Sequence, residues 1–250
     1  MYNLPAEDRI FFVQLTRFLD EIAILHKCLI FSAQTMASEV ELQRMAQRAQ
    51  SLFFLKMLAG KLHEGWEMLK ESYPSIRPAE RRDRPLPNKL LPKRYYDFLP
   101  DEVKNGLDNL IKYFNKKTNF IFMLRNKYAF HYDKKKVANE IDNISEEDIF
   151  TILVTEARGN SLSGFSDTII ISSILRLIDK NDIQKAMDGL YKEIVSTADL
   201  LLDFGHHVIA LIVDKLEPEP TSTEIDLQDV AIMEDIRLPF FIGRREQLSS

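Results

Sequence analysis

Residues 5–35 read PAEDRIFFVQLTRFLDEIAILHKCLIFSAQT. Phe11, Leu15, Phe18, Ile22, Leu25 and Leu29 recur at spacings of four and three, which draws one apolar stripe down a helix. Pro5 suits a first helical turn because its missing N–H has no partner to lose there, and Glu7 and Asp8 suit the positive end. The stripe asks for a second helix to cover it. Residues 38–72 supply one, with Leu55, Leu58, Leu62, Trp66 and Leu69 in phase. Ser38 with Glu41 fits a capping box at its start. Few residues separate the two helices, so they are expected to pair antiparallel. Residues 182–216 predict another long helix, with Ile183, Met187, Leu190, Ile194, Ala198 and Leu201 on one face. The expected fold is therefore mostly α, a bundle of long antiparallel helices.

Composition agrees with a globular chain. The 250 residues are 45% apolar and 28% charged, enough to bury a sizeable core. Only 8 glycines argue against a fold rich in tight turns between strands. The net charge of −5 excludes a generic polyanion binder, so any nucleic-acid contact must come from a local basic patch. The single cysteine, Cys28, allows no intrachain disulfide and no paired-cysteine zinc site, and reads as a small buried apolar residue. The acidic start MYNLPAEDRIFF does not read as a secretory signal. No uncharged run approaches the roughly 20 residues that cross a bilayer. The expectation is a cytoplasmic protein with no membrane partner.

Between the second helix and the next lies a break. Six of the ten prolines fall at positions 74, 78, 85, 87, 92 and 100, a density no helix survives. Residues 77–94, RPAERRDRPLPNKLLPKR, carry seven basic and two acidic residues. This basic connector is read either as a solvated loop or as a guide for a phosphate backbone, with Arg81 and Arg82 at its centre. A third helix is expected from Asp101 towards Lys116 and Lys117, and Thr118 or Asn119 opens a fourth. Residues 149–155, IFTILVT, read as a short strand, and RGNSLSG at 158–164 as a turn. A small hairpin or irregular insertion is thus expected after residue 148, inside one helical domain over 1–216. The tail, 217–250, opens with seven acidic and no basic residues between 217 and 235. Association of that tail with the basic connector is a further expectation.

The fourth helix carries the chemistry. Its apolar start, FIFML at 120–124, runs straight into Arg125, Asn126 and then His131. Arginine offers a planar fork for phosphate oxygens, and histidine moves protons near neutrality. In a continuous helix residues six apart point about 120° away from each other, so the pair needs the helix to end near Ala129 or a second copy of the site. The other reading is the end of a core helix, with Arg125 paired to a carboxylate and His131 at the helix C-terminus.

Arg125-Asn126-KYAF-His131 resembles the motif of the HEPN superfamily: an arginine, usually a polar residue beside it, and a histidine after four to six intervening residues. The all-α setting and the apolar helix leading into the arginine are similar too. The resemblance covers roughly residues 1–145 and the last helix, and leaves the hairpin and the tail unaccounted for. It implies a helical bundle that dimerises so that two motifs meet. It also implies a metal-independent endoribonuclease, of the defence or toxin kind, with Arg125 and His131 catalytic and Asn126 in support. RNA, a second copy of the chain, and an antitoxin or other protein partner are the implied partners, with no cofactor. Lys127, Lys134 and Lys135 would grip the RNA backbone. The subgroup with a His-x-Tyr ending is not matched, because Tyr132 follows His131 directly. The alternative within the family is a non-catalytic helical module that binds a partner protein or a nucleotide.

Other clusters are weaker. Asp203 and His206 sit at i, i+3 with His207 beside them, while His26, His63 and Glu64 lie on other helices. None repeats the Glu-x-x-His pairs of a two-metal bundle, so no metal site is expected. No phosphate-binding glycine loop and no nucleophile elbow is present.

Overall fold

The computed structural model describes residues 4–34, 40–72, 93–116, 118–125, 152–156, 158–163, 181–216 and 238–242, with shorter pieces between 138 and 179 and between 230 and 236. The protein is mostly α with one small hairpin. In chain order the elements are α1 (Ala6–Gln34), α2 (Glu41–Ser72), α3 (Lys93–Tyr96), α4 (Asp101–Phe114), α5 (Phe120–Leu124), β1 (Ile152–Leu153), β2 (Leu162–Ser163) and α6 (Ile183–Leu216). They fall into two units, each assembled from three stretches of chain: 1–24, 58–122 and 192–228, and 25–57, 123–191 and 229–250. Helices α1, α2, α5 and α6 each run through that division.

The first unit is a helical core built on the expected stripes. Phe11, Leu15, Phe18 and Ile22 of α1 are buried, as are Leu58, Leu62, Trp66 and Leu69 of α2. The two helices pair antiparallel: Lys61 Nζ lies 2.5 Å from Glu21 Oε2, and the ring of Phe18 lies over Gly65. A Cβ at Gly65 would strike that ring, so the glycine is what lets α1 approach. Gly205 of α6 plays the same part against Leu19. Along α6, Ile194, Ala198, Leu201, Phe204, Val208 and Ile212 are buried. Among the described residues α6 is the one helix long and apolar enough to cross a membrane, and here that apolar stripe is core. Trp66 stacks on Phe114 at 4.6 Å between ring centroids, joining α2 to α4.

The proline-rich break contains one departure from expectation. Lys93–Tyr96 forms a turn of helix, held because Tyr95 is buried and its hydroxyl donates to the buried carboxylate of Asp8 at 3.0 Å. Tertiary burial overrides local breaking signals for this one turn. The rest of the basic connector, Arg81 and Arg82 included, lies outside the described residues, as do Ser38 and the acidic stretch 217–229.

The second unit repeats the antiparallel pairing with a polar link: Ser51 Oγ donates to Ser32 Oγ at 3.0 Å, both residues being buried. Leu25, expected in the stripe, is half-buried, whereas Leu29 and Leu55 are fully inside. On α6, Leu190 is buried as expected, but Ala186 is fully buried where Met187 is half-exposed, so the stripe enters one residue earlier. β1 and β2 pair antiparallel, Ile152 opposite Ser163 and Leu153 opposite Leu162. Beyond the hairpin the chain is helical at Ile169, Ser172, Leu175, Arg176 and Ile178, with Leu175 in the core. Asn160, in the 3-10 turn between the strands, pairs both backbone groups of Ile242. Its Nδ2 donates to the Ile242 carbonyl and its Oδ1 accepts from the Ile242 N–H, each at 2.9 Å.

Candidate functional site

The helix that leads into Arg125 has only five residues, too few to hold itself together in water. Its side chains and its first N–H groups explain why it exists. Ile121 and Leu124 are fully buried. Asn119, itself buried, is the N-cap: its Oδ1 accepts from the Phe122 N–H at 2.7 Å and its Nδ2 donates to the Lys116 carbonyl at 2.6 Å. The Ile121 N–H donates to the hydroxyl oxygen of Tyr113, on α4, at 3.3 Å. The Phe120 N–H donates to Oε1 of Glu193, on α6, also at 3.3 Å. Tyr113 in turn donates its own proton to the same Glu193 oxygen at 2.5 Å. Three first-turn donors are thus satisfied by three side chains from three places in the sequence.

The pair Tyr113–Glu193 keeps its proton on the phenol. Burial pushes the Tyr113 hydroxyl well above the usual tyrosine range, and the hydrogen bond to Glu193 and that group's charge push it further. Three of the N–H groups at the helix start are thus taken by a carboxylate, a phenol and an amide of the protein itself.

Arg125 follows Leu124 directly, where the backbone widens into a π-type turn. Such turns are rare and occur frequently at functional sites. Arg125 is half-buried and has an interaction partner. Of the residues expected to form the site it is the one described: Asn126, Lys127, His131, Lys134 and Lys135 lie outside the described residues.

The remaining candidates resolve into ordinary contacts. Asp203 meets His207 rather than His206: the His207 Nδ1 lies 3.3 Å from the Asp203 carboxylate and 2.9 Å from its carbonyl oxygen, because i, i+4 residues face each other on a helix. His63 is buried, 4.0 Å from Glu67 and tilted against the ring of Phe122. Cys28 is half-buried. No group of three metal-ligating side chains forms among the described residues. What the sequence did not reveal is the Tyr113–Glu193 pair, since nothing in the local pattern links residues 80 apart.

The fold defines a helical bundle with one short, multiply anchored helix ahead of an arginine. The chain matches no family model, no curated protein and no solved structure.

Proposed function

We propose that this chain is a HEPN-like, metal-independent endoribonuclease that works in the cytoplasm as a homodimer. One observation carries the reading: Arg125 of the Arg-Asn-x4-His motif stands at a π-type turn directly after an anchored helix, in a mostly α bundle. In this reading one His131 takes the proton from the RNA 2′-OH as its oxygen attacks the adjacent phosphorus. The His131 of the second copy gives a proton to the departing 5′-oxygen as the P–O bond breaks. Arg125 neutralises the crowded phosphorane with its two-pronged fork, and Asn126 orients the histidine or the phosphate. Lys127, Lys134, Lys135, Arg81 and Arg82 hold the RNA backbone. The products carry a 2′,3′-cyclic phosphate and a 5′-hydroxyl. A role in defence or as a toxin, with a protein antagonist, is the biological setting that fits.

The test of this reading is the end chemistry of the RNA together with subunit mixing. An excess of inactive His131→Ala chain mixed into wild type is expected to lower the wild-type activity as mixed dimers form, because each site needs a His131 from each copy. Products with 3′-hydroxyl ends, or a monomer in sedimentation that is fully active, would reject the composite site. A dimer that binds RNA or nucleotide without cutting would instead be the non-catalytic module.

A further inference from the structure

We propose that Tyr113 and Glu193 are positioning residues for Arg125. The inference rests on the ribonuclease reading and names what aims its arginine. A five-residue helix has no orientation of its own. The angle at which α5 leaves its N-cap is set by what its first N–H groups bond to, and two of those bonds end on Tyr113 and Glu193. The third partner, Asn119, directly precedes the helix in the chain and is its own N-cap. The phenol and the carboxylate come instead from α4 and α6, whose neighbouring Leu110 and Ile194 are fully buried. They tie the start of α5 to the two long helices.

The choice of groups is informative. Water would satisfy two exposed N–H groups, and a neutral amide would satisfy them when buried. Here a carboxylate is used, and it is shared: one oxygen takes both the Phe120 N–H and the Tyr113 O–H. A charged acceptor makes both bonds stronger than a neutral one would. The Tyr113 oxygen passes the constraint on to the next residue by accepting from Ile121. The result is a closed linkage of two side chains and two successive backbone amides, one turn ahead of Arg125. A displacement of about 1 Å in a group that meets the transition state costs roughly a hundredfold in rate. Stiffness at this point is therefore worth a part-buried carboxylate.

The experiment compares wild type with Tyr113→Phe, Glu193→Ala and Glu193→Gln in two readouts: steady-state RNA cleavage, and amide exchange along residues 120–125. Loss of either bond is expected to lower kcat by about tenfold or more, with KM within about twofold, since the arginine is mis-aimed in the transition state and not removed. Exchange at Ile121–Arg125 should quicken while that of α6 from Ala186 to Ile212 stays slow. Glu193→Gln, whose amide oxygen still accepts both bonds, is expected to recover most of the rate lost in Glu193→Ala. Tyr113→Phe decides the matter if Glu193→Ala does not fold, since it removes a single oxygen. Faster exchange at α5 with unchanged kcat overturns the inference. So does a Glu193→Gln variant as slow as Glu193→Ala, which would make the carboxylate itself the reacting group. Uniformly faster exchange throughout the chain would make the linkage merely structural. A wild type that cuts no RNA removes the ribonuclease reading and this inference with it, whereas an active wild type with unaffected variants removes the inference alone.

Discussion

Tyr113 and Glu193 are 80 residues apart in the chain and share a proton-bearing hydrogen bond of 2.5 Å. The bond joins α4 to α6, and its two oxygens accept the amides that start α5. Removing the phenol oxygen leaves the Ile121 N–H without that acceptor and takes from Glu193 one of its two donors, the Phe120 N–H remaining. Tyr113→Phe is expected to lower stability by about 1–3 kcal/mol, read from urea unfolding at neutral pH. A loss below a few tenths would mean that water replaces the phenol at no cost.

The same phenol carries a pH signature. Its proton is held more tightly in the folded than in the unfolded chain, so its contribution is fully present below the unfolded tyrosine value of about 10 and is lost as pH rises beyond it. Wild type is expected to lose stability above that pH more steeply than Tyr113→Phe. Parallel stability curves for the two proteins between pH 9 and about 11 would contradict this.

Glu21 behaves in the opposite sense. The hydrogen bond from Lys61 lowers its carboxyl first, burial opposes this, and Arg17 assists at 3.2 Å. A lowered carboxylate stabilises above the unfolded glutamate value of about 4.3 and loses its effect as pH falls through the folded value. Lys61→Met should therefore cost about 0.2–1 kcal/mol at pH 7, the range of a part-exposed pair, and less as the medium becomes acid. A cost that does not change with pH would assign it to the lysine stem rather than to its charge.

Gly65 offers a packing test. Ala would normally favour a helix interior over Gly by up to about 1 kcal/mol. Here its methyl meets the ring of Phe18, so Gly65→Ala is expected to destabilise by roughly 1–3 kcal/mol. Phe18→Leu should relieve most of that in the double variant, a coupling that thermal unfolding of all four proteins measures. Additive losses would show that the ring yields freely.

Asn160 is the corresponding test in the second unit. Its amide holds both backbone groups of Ile242, so Asn160→Ala should release the stretch from Leu238 to Ile242 to protease cleavage with little change in melting. Equal cleavage rates in the two proteins would contradict the clasp.

Much of the fold was legible because the helices are long and amphipathic. The stripe from Leu55 to Leu69 is buried throughout, and the ends of α1 and α6 fall within a residue or so of where caps and periodicity put them. The opener of α5 was readable as Thr118 or Asn119, and Asn119 is the one whose side chain satisfies a first-turn amide. The turn at Lys93–Tyr96 was not readable. It exists through the burial of Tyr95 against Asp8, a contact across 87 residues that no local pattern encodes. Glu193 was hidden in the same way: on its own helix it is one polar residue beside Ile194, and only the fold brings Tyr113 and the start of α5 to it. The motif itself was legible as residues, with Arg125 the member whose surroundings are described.

The central claim is that Arg125 and His131 cleave RNA without metal. The most direct measurement is the cleavage of end-labelled RNA in excess EDTA by wild type, Arg125→Ala and His131→Ala at equal folded concentration. Wild type is expected to cut, each variant to lose about a hundredfold or more, and the melting temperatures to stay unchanged. Wild type that leaves varied RNAs intact, or variants that cut as well as wild type, would contradict it.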